Sequence, residues 1–200
     1  MKKILGILVL VTSSAFLTAY AAISGSNTKA DNLYVGAYHQ GGVIYWLDPE
    51  KQYQHGLIVD INDAPSASGY AWDTTPPGKT GAIGDKPYAG KANTQTIIAT
   101  IGSKRAQAAS ICANSHNQGY SDWYLPAKKE LALMLGQGRM TAKIIETAKA
   151  HGGEDFNQSP YWSSTEYAFN SAWNVSGGRR DYGATYKKNT LLRVRCIRAF

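Results

Sequence analysis

Short runs of hydrophobic residues divide much of the chain into segments with the character of β-strands. Gly42–Leu47 and Gly56–Ile61 are apolar runs separated by a polar turn around residues 48–50, which predicts a β-hairpin. Two further strands, rich in aromatic and small residues, are predicted at Tyr161–Thr165 and Ala172–Ser176. Strands that follow one another at such short spacing favour an antiparallel sheet.

The last predicted strand covers Leu191–Arg198, where apolar and basic residues alternate. Successive side chains of a strand point to opposite faces, so Arg193 and Arg195 share one face and lie about 7 Å apart. If the other face, which carries Leu192, Val194 and Cys196, packs against the core, both arginines project into solvent. The alternative is that Arg195 is half-buried in a structural ion pair, for example with Glu166.

Helical spacing occurs in three segments between residues 103 and 150. Ser103 is a predicted N-cap for a helix over residues 104–115, Pro126 starts a second helix, and a third covers residues 141–150. Residues 64–93 are rich in Gly, Pro, Ser, Asp and Thr and predict a long irregular loop. The pattern as a whole predicts one α+β domain with an antiparallel sheet, two or three helices and long loops. The apolar faces consist of Ala108, Ile111 and Cys112 in the first helix and Leu131, Met134 and Leu135 in the second.

The N-terminus has the pattern of an export signal. Lys2 and Lys3 precede an apolar stretch over residues 4–17, and small residues follow at positions 19–22. We therefore expect a signal peptide at residues 1–21, a flexible leader at 22–33 and a single domain at 34–200. The alternative is an uncleaved membrane anchor, for which the apolar run is short.

The charge of the chain is unevenly distributed, with an excess of basic residues at the C-terminal end. The chain has 200 residues, of which 44% are hydrophobic and 18% charged, which is typical of a globular domain and not of a disordered chain. Seven basic residues and one acidic residue lie between positions 179 and 200, whereas residues 22–178 carry a net charge of −1. This asymmetry favours a polyanionic partner. The alternative is a solvated basic face that only aids solubility, and export makes nucleic acid a poor candidate.

Cys112 and Cys196 are the two cysteines of the chain. In an oxidising compartment they are expected to form a disulfide, which would close a loop of 84 positions. The cysteines do not have the Cys-x-x-Cys spacing of redox catalysts, which argues that the disulfide has a structural role.

Five sequence blocks, in order, resemble the family of the C-terminal domain of the Legionella collagen-like adhesin. The resemblance covers residues 34–200 and is specific for the family, although the collagen-like stalk of the adhesin is missing here. The blocks are Gly41–Leu47 with His55–Val59, Asp122–Leu131, Tyr161–Glu166, Ala172–Asn174 and Val194–Arg198.

The resemblance implies a variant of the C-type lectin fold, with a disulfide similar to a pairing of Cys112 with Cys196. It also implies binding of sulfated polysaccharides such as glycosaminoglycans. The domain of the adhesin itself is implied to form a homotrimer; without the stalk, we expect a monomer or a weak homotrimer here. One departure concerns calcium, because Val175 follows Trp173-Asn174 where C-type lectins have an acidic ligand. We therefore expect no metal and no cofactor; Asp60, Asp63 and Asp73 are the loop carboxylates that would assemble a calcium site if that expectation failed.

Other motifs carry little catalytic chemistry. The four histidines are far apart in sequence, Ser163-Ser164 lacks the Gly-x-Ser-x-Gly setting, and no acid/base pair stands out, so an enzyme is not expected. Residues 123–126 and the aromatic residues of the two short strands are interpreted as core anchors, with sugar stacking as the alternative.

Two functions follow from these patterns. The first is an exported adhesin-like module, in the periplasm, at the cell surface or outside the cell, that binds sulfated or anionic polysaccharide. The second is an envelope or appendage protein that binds another protein through its long loops. No nucleic acid and no membrane span after signal cleavage are expected. The ligand-binding residues predicted for the first function are Arg179, Arg180, Lys187, Lys188, Arg193, Arg195 and Arg198.

Overall fold

A computed structural model describes residues 33–136, 138–156, 159–176 and 185–200. The predicted signal peptide and nearly all of the leader lie outside these residues, as do Arg179 and Arg180. Within the described part of the chain, no helix is long and apolar enough to cross a bilayer.

The fold is α+β, as predicted, and the described residues form antiparallel sheets and four α-helices instead of the two or three predicted. The strands are β1 (Tyr38–His39), β2 (Gly42–Leu47), β3 (Gly56–Asp60), β4 (Tyr70–Ala71), β5 (Pro160–Ala168), β6 (Ser171–Ser176), β7 (Thr185–Lys187), β8 (Leu191–Leu192) and β9 (Ile197–Ala199). The helices are α1 (Ala89–Ile101), α2 (Gln107–Ala113), α3 (Lys128–Leu135) and α4 (Arg139–Ala150).

Three sheets share these strands. One has the order β1-β2-β3-β9, the second pairs β4 with β8, and the third has the order β5-β6-β7. The predicted hairpin of β2 and β3 is confirmed, with Gly42 opposite Asp60 and Leu47 opposite Gly56. Two clusters of buried hydrophobic residues pack around these sheets, one including the disulfide and Trp72, the other including Leu131, Met134 and Leu135 of α3.

Helix α1 begins inside the segment predicted as an irregular loop, so that prediction is wrong for residues 89–93. Its buried residues are Gly90, Asn93, Thr94 and Ile97, and Ile98 and Ile101 pack partly buried against the first cluster, so apolar spacing is confined to the second half of the helix. The buried polar groups are satisfied instead: Asn93 Nδ2 donates to Gly84 O at 2.6 Å, and Thr94 Oγ1 accepts from Leu125 N at 3.1 Å. A helix whose buried face is polar cannot be found from apolar spacing.

Helix α2 is shorter than predicted and begins without the predicted cap. Its N-cap position is Ala106, which forms no side-chain cap, and Ser103 instead accepts, through its carbonyl, a hydrogen bond from Ser110 Oγ at 3.0 Å. The predicted buried face is confirmed at Ala108 and Cys112, both fully buried.

The C-terminal segment is not one strand. Residues 191–192 pair with β4, residues 197–199 pair with β3, and the chain between them crosses from one sheet to the other. Arg193 forms an isolated parallel bridge with Tyr161 on the way. Of the two arginines that strand alternation predicts to face solvent, Arg195 is therefore buried, whereas Arg193 stays partly exposed.

The disulfide between Cys112 and Cys196 is present, with a Cα–Cα distance of 5.4 Å, as predicted. It joins the buried face of α2 to the residues that lead into β9. Helix α2, whose buried face belongs to the first cluster, is thereby attached to the C-terminal end of the chain.

Candidate functional site

Three of the predicted ligand-binding cations are buried in ion pairs. Lys188 is fully buried, and its Nζ lies 2.5 Å from Glu166 Oε1. Arg195 is 1% exposed, with Nε 2.6 Å from Asp63 Oδ1. Arg198 is 6% exposed and forms a bidentate pair with Asp122, at 2.7 and 3.1 Å. The expectation that these side chains face solvent is wrong.

The reason lies in what covers the outer side of the C-terminal segment. The Arg195 guanidinium also donates to Asp60 O and Asp155 O and stacks on Phe156, so loops around residues 60–63 and 154–156 enclose it. A buried guanidinium needs a carboxylate and further acceptors to offset its lost hydration, and all are supplied here. These charges hold the loops in place and have no exposed group to offer a polyanion.

The remaining predicted residues are distributed differently. Lys187 is exposed and Arg193 is partly exposed, with its NH1 3.4 Å from Ser66 O. These two are what the described residues retain of the basic C-terminal surface. Arg179 and Arg180 lie outside the described residues.

Exposed lysines gather instead where α1 and α3 begin. The backbone N of Lys129 donates to Asp85 O at 3.1 Å, which brings the start of α3 beside the loop that carries exposed Lys86. Lys91, in the first turn of α1, is exposed as well. Lys129 Nζ is 3.8 Å from Asp85 Oδ2, and because both groups are exposed this pair contributes at most about 1 kcal/mol.

A groove of about 550 Å³ adjoins these lysines, and we call it the lysine groove. Its lining combines an aromatic ring and aliphatic surface with two cations from consecutive positions of α3. Such a mixture of apolar walls and a few charged groups is typical of ligand sites of this size. The lining residues are Trp46, Pro87, Lys128, Lys129 and Leu133.

Two groove residues, Trp46 and Lys128, pack against aromatic rings outside the groove. Trp46 meets Tyr88 edge-to-face at 5.6 Å between ring centroids, and Lys51 Nζ lies 4.8 Å from the Tyr88 ring. Lys128 Nζ lies 4.1 Å above the Trp173 ring, a cation–π contact. Trp173 was interpreted as a core residue, but it is only partly buried, whereas Tyr161 and Trp162 are fully buried as predicted.

Glu130 joins the two helix starts that border the groove. Its carboxylate accepts hydrogen bonds from Tyr88 N at 2.7 Å, Gly90 N at 3.2 Å, Ala127 N at 2.7 Å and Tyr124 OH at 3.3 Å. Burial raises the pKa of this carboxyl to about 7, although the hydrogen bonds oppose the shift. Pro87 and Lys128 are sequence neighbours of its partners, so this one buried side chain fixes two walls of the groove.

The residues around Pro126 act as anchors, as interpreted from the sequence. Trp123, Tyr124 and Leu125 are all buried, and Tyr124 forms an antiparallel bridge with Ile197. Their role is to position α3 against the sheet. Lys128 and Lys129, which follow these anchors, belong to one of the sequence blocks but are not among the predicted site residues. Two adjacent lysines do not by themselves indicate a binding site, and the groove forms only when α1 packs beside them.

The aspartates named as the alternative calcium ligands are separated by their partners. Asp63 pairs with Arg195, Asp73 with Arg105 at 2.9 Å, and Asp60 accepts from Asn117 Nδ2 at 2.6 Å. Within the described ranges, no group of three or more His, Cys, Asp or Glu side chains is arranged to hold a metal ion.

Comparison with known proteins agrees with the sequence blocks. The model of the Lcl C-terminal domain family matches residues 61–198, which include α1–α4 and β4–β8. None of the curated proteins compared with the chain matches it. Since the matched region covers more than half of the chain, this protein belongs to the Lcl C-terminal domain family.

Proposed function

We propose that this protein is an exported, adhesin-like module that binds sulfated or otherwise anionic polysaccharide, without catalysis, in the lysine groove. The observation that carries the proposal is the combination of Trp46 with Lys128 and Lys129 in one groove. An indole ring offers the apolar face on which a sugar ring packs, and two ammonium groups beside it suit the acidic substituents of that sugar.

The proposed polyanion-binding surface is the lysine groove and not the C-terminal strands. Lys188, Arg195 and Arg198 are buried and paired with carboxylates, whereas Lys86, Lys91 and Lys129 are exposed. Coulomb attraction to a polymer in water acts through exposed charge, so the lysines around the groove replace most of the surface predicted from the sequence.

Export is supported by the family and by the disulfide, because disulfides persist in oxidising compartments. Single exposed contacts between lysine and an anion contribute little, so several must act together along one chain. Such binding weakens as salt is added. The expected monomer or weak homotrimer stays a prediction, which sedimentation of residues 22–200 would measure.

The experiment is salt elution from a heparin column. We expect the Lys128→Gln/Lys129→Gln variant to elute at a much lower salt concentration than the unchanged protein. The matched control is Lys143→Gln/Lys149→Gln, which removes two exposed lysines of α4 that also lie in surface ion pairs. The control should elute close to the unchanged protein, since its charges lie on another helix.

A third variant, Lys187→Ser/Arg193→Ser, measures what remains of the predicted C-terminal surface. If this variant alone loses retention, the polysaccharide site is at the C-terminal strands and the lysine groove is not the site. If all three variants and the unchanged protein flow through at low salt, polysaccharide binding itself is wrong.

A protein partner is the second candidate, and exposed apolar side chains favour it. Ile83, Tyr167 and Phe169 are 73%, 57% and 53% exposed, and backbone hydrogen bonds join their loops: Glu166 N to Ala82 O and Gly78 N to Phe169 O. Apolar residues exposed together are typical of interaction surfaces. Binding through them would resist salt, which distinguishes this candidate from the first.

A further inference from the structure

A second cavity, of about 220 Å³, lies beside the disulfide at the end of α2, away from the residues of the lysine groove. We call it the α2-end pocket. It forms where the loop after β3 faces the turn after α2, and the Cys196 half of the disulfide lines it. The residues used below are Asp60, Pro65, Ile111, Asn114, His116 and Asn117.

Both apolar and polar residues line the α2-end pocket. Pro65 and Ile111 are apolar. The consecutive residues 114–117 form what we call the polar side, and Asn114, His116 and Asn117 are exposed. A ligand that fits must therefore combine a short apolar body with a polar group.

The polar side offers mainly hydrogen-bond acceptors. His116 Nδ1 lies 3.0 Å from Asn114 O, and because a carbonyl only accepts, Nδ1 carries the proton and Nε2 remains an acceptor in the neutral ring. Asn117 Nδ2 donates to Asp60 Oδ2 at 2.6 Å, which leaves the amide oxygen of Asn117 to accept from a ligand. The complementary ligand group is a donor.

The charge at the floor of the pocket is negative. Asp60 is 1% exposed, and its side chain is bonded by Asn62 N and Asn117 Nδ2, both uncharged donors. The nearby Arg195 pairs with Asp63 and donates to the backbone oxygen of Asp60. No ion pair to this carboxylate is formed by the described lysines and arginines. The Arg195 guanidinium therefore stabilises the charged form of Asp60 without pairing with its carboxylate, and burial still raises the pKa of this carboxyl above its ordinary value. A cation bound directly to the carboxylate would offset the cost of its burial.

A metal ion does not meet these requirements, because in the described part of the chain no three metal-ligating side chains converge. A primary ammonium does, since it carries one positive charge and three donors on a small apolar stem. We propose that the α2-end pocket binds a primary alkylammonium group, with Asp60 as counter-ion, His116 Nε2 and Asn117 Oδ1 as further acceptors, and Ile111 and Pro65 against the alkyl stem.

The probe is n-butylammonium, titrated into the folded protein and followed by the backbone amide resonances of residues 111–117. Two matched probes separate charge from shape: n-butanol has the same stem without charge, and butyrate has the opposite charge. We expect n-butylammonium to bind roughly tenfold or more tightly than n-butanol, a difference of about 1.4 kcal/mol, and butyrate not to bind.

Two substitutions test the acceptors. Asp60→Asn should weaken binding of n-butylammonium roughly tenfold, and His116→Ala a few-fold, whereas the control Asp155→Asn, at an exposed carboxylate, should leave it unchanged. Binding should also weaken as the pH falls and Asp60 takes up a proton, since burial raises its pKa above the ordinary value.

If Asp60→Asn does not fold, the pH series and His116→Ala still test whether the α2-end pocket binds n-butylammonium. Equal binding of n-butanol and n-butylammonium would overturn the proposal in favour of a purely apolar cavity. Amide resonances at 111–117 that stay unmoved by saturating n-butylammonium would also overturn it. Heparin elution is independent of all these measurements, so this proposal and the polysaccharide proposal can fail separately.

Discussion

At the scale of single residues, buried ion pairs decide how the charge of this chain is used. Arg195 and Asp63 are both almost fully buried, and Tyr161 OH also donates to Asp63 at 2.9 Å. Replacing one partner leaves the other charge buried and unpaired, and such losses are much larger than those of surface pairs.

We predict that Arg195→Met lowers the free energy of unfolding by about 3–5 kcal/mol, because Asp63 loses its countercharge. Chemical denaturation measures this. The control is Lys149→Met, whose pair with Asp155 is exposed, and a change of less than about 1 kcal/mol is expected there. An Arg195→Met variant as stable as the control would contradict the structural role given to this pair.

A second residue-scale prediction concerns the pH dependence of Glu130. Its pKa is about 7 in the folded protein and has an ordinary value of 4.5, so between these two values the folded state binds a proton that the unfolded state has released. The contribution of Glu130 to stability is therefore most favourable below pH 4.5 and is lost as the pH rises to 7, by about 3 kcal/mol in all.

Glu130→Gln removes this titration. We expect the unfolding free energy of the unchanged protein relative to that of Glu130→Gln to fall by about 2.5 kcal/mol from pH 5 to pH 8, since the rest of the change lies below pH 5. Asp60 and Asp63, whose pKa values are also raised by burial, titrate in both proteins and cancel in the difference. A difference that is constant with pH would show that hydrogen bonding, and not burial, dominates the pKa of Glu130.

At the scale of elements, the contact of α1 with α3 depends on one glycine. A Cβ at Gly90 would overlap Glu130 Oε2 and lie 2.8 Å from Ala127 N, although Gly90 has an ordinary helical backbone. Alanine usually stabilises a helix relative to glycine by about 1 kcal/mol, but overpacking costs about 1–3 kcal/mol.

We predict that Gly90→Ala lowers the free energy of unfolding by about 1–2 kcal/mol and weakens heparin retention, because it separates the two helix starts that border the lysine groove. Gly78→Ala is the control, since a Cβ there meets nothing within 4 Å, and it should change stability by less than about 0.5 kcal/mol. Gly90→Ala with unchanged or greater stability would mean that the helices separate without cost.

At the scale of the whole molecule, the disulfide joins residues 84 positions apart. Constraining a loop of this length stabilises the folded state by about 4–5 kcal/mol on the chain-entropy model. We predict a loss of this order for the Cys112→Ser/Cys196→Ser variant in thermal or chemical unfolding. A reducing agent should destabilise the unchanged protein and leave the variant unaffected.

Mass spectrometry of the protein under non-reducing conditions, after expression with its own N-terminal segment, tests the same bond directly. The expected product is one intramolecular disulfide and no free thiol. Two alkylatable cysteines in the mature protein would contradict both the bond and the inference of an oxidising compartment that rests on it.

The limits of sequence reasoning appear most clearly at α1 and at the C-terminal segment. The buried positions of α1 are mostly glycine, asparagine and threonine, which pack only because Gly84, Leu125 and Glu130 supply partners from elsewhere in the chain. In the C-terminal segment, Val194 and Cys196 are buried as the alternation predicts, but Arg195 is buried as well. No pattern near Arg195 in the sequence shows that Asp63, more than 130 positions away, packs against it.

Sequence patterns were sufficient to predict the class of the fold, the hairpin of β2 and β3, the helices α3 and α4, the disulfide and the family. The elements follow from local periodicity, the disulfide from a chain with two cysteines, which can pair in one way, and the family from ordered blocks of residues. The tertiary structure alone decided which charges face solvent. Lys188 and Lys129 both have polar neighbours in the sequence. In the fold, Lys188 is buried in an ion pair with Glu166, whereas Lys129 lines the lysine groove. Burial depends on the segments that fold over a residue, and those segments lie far away along the chain.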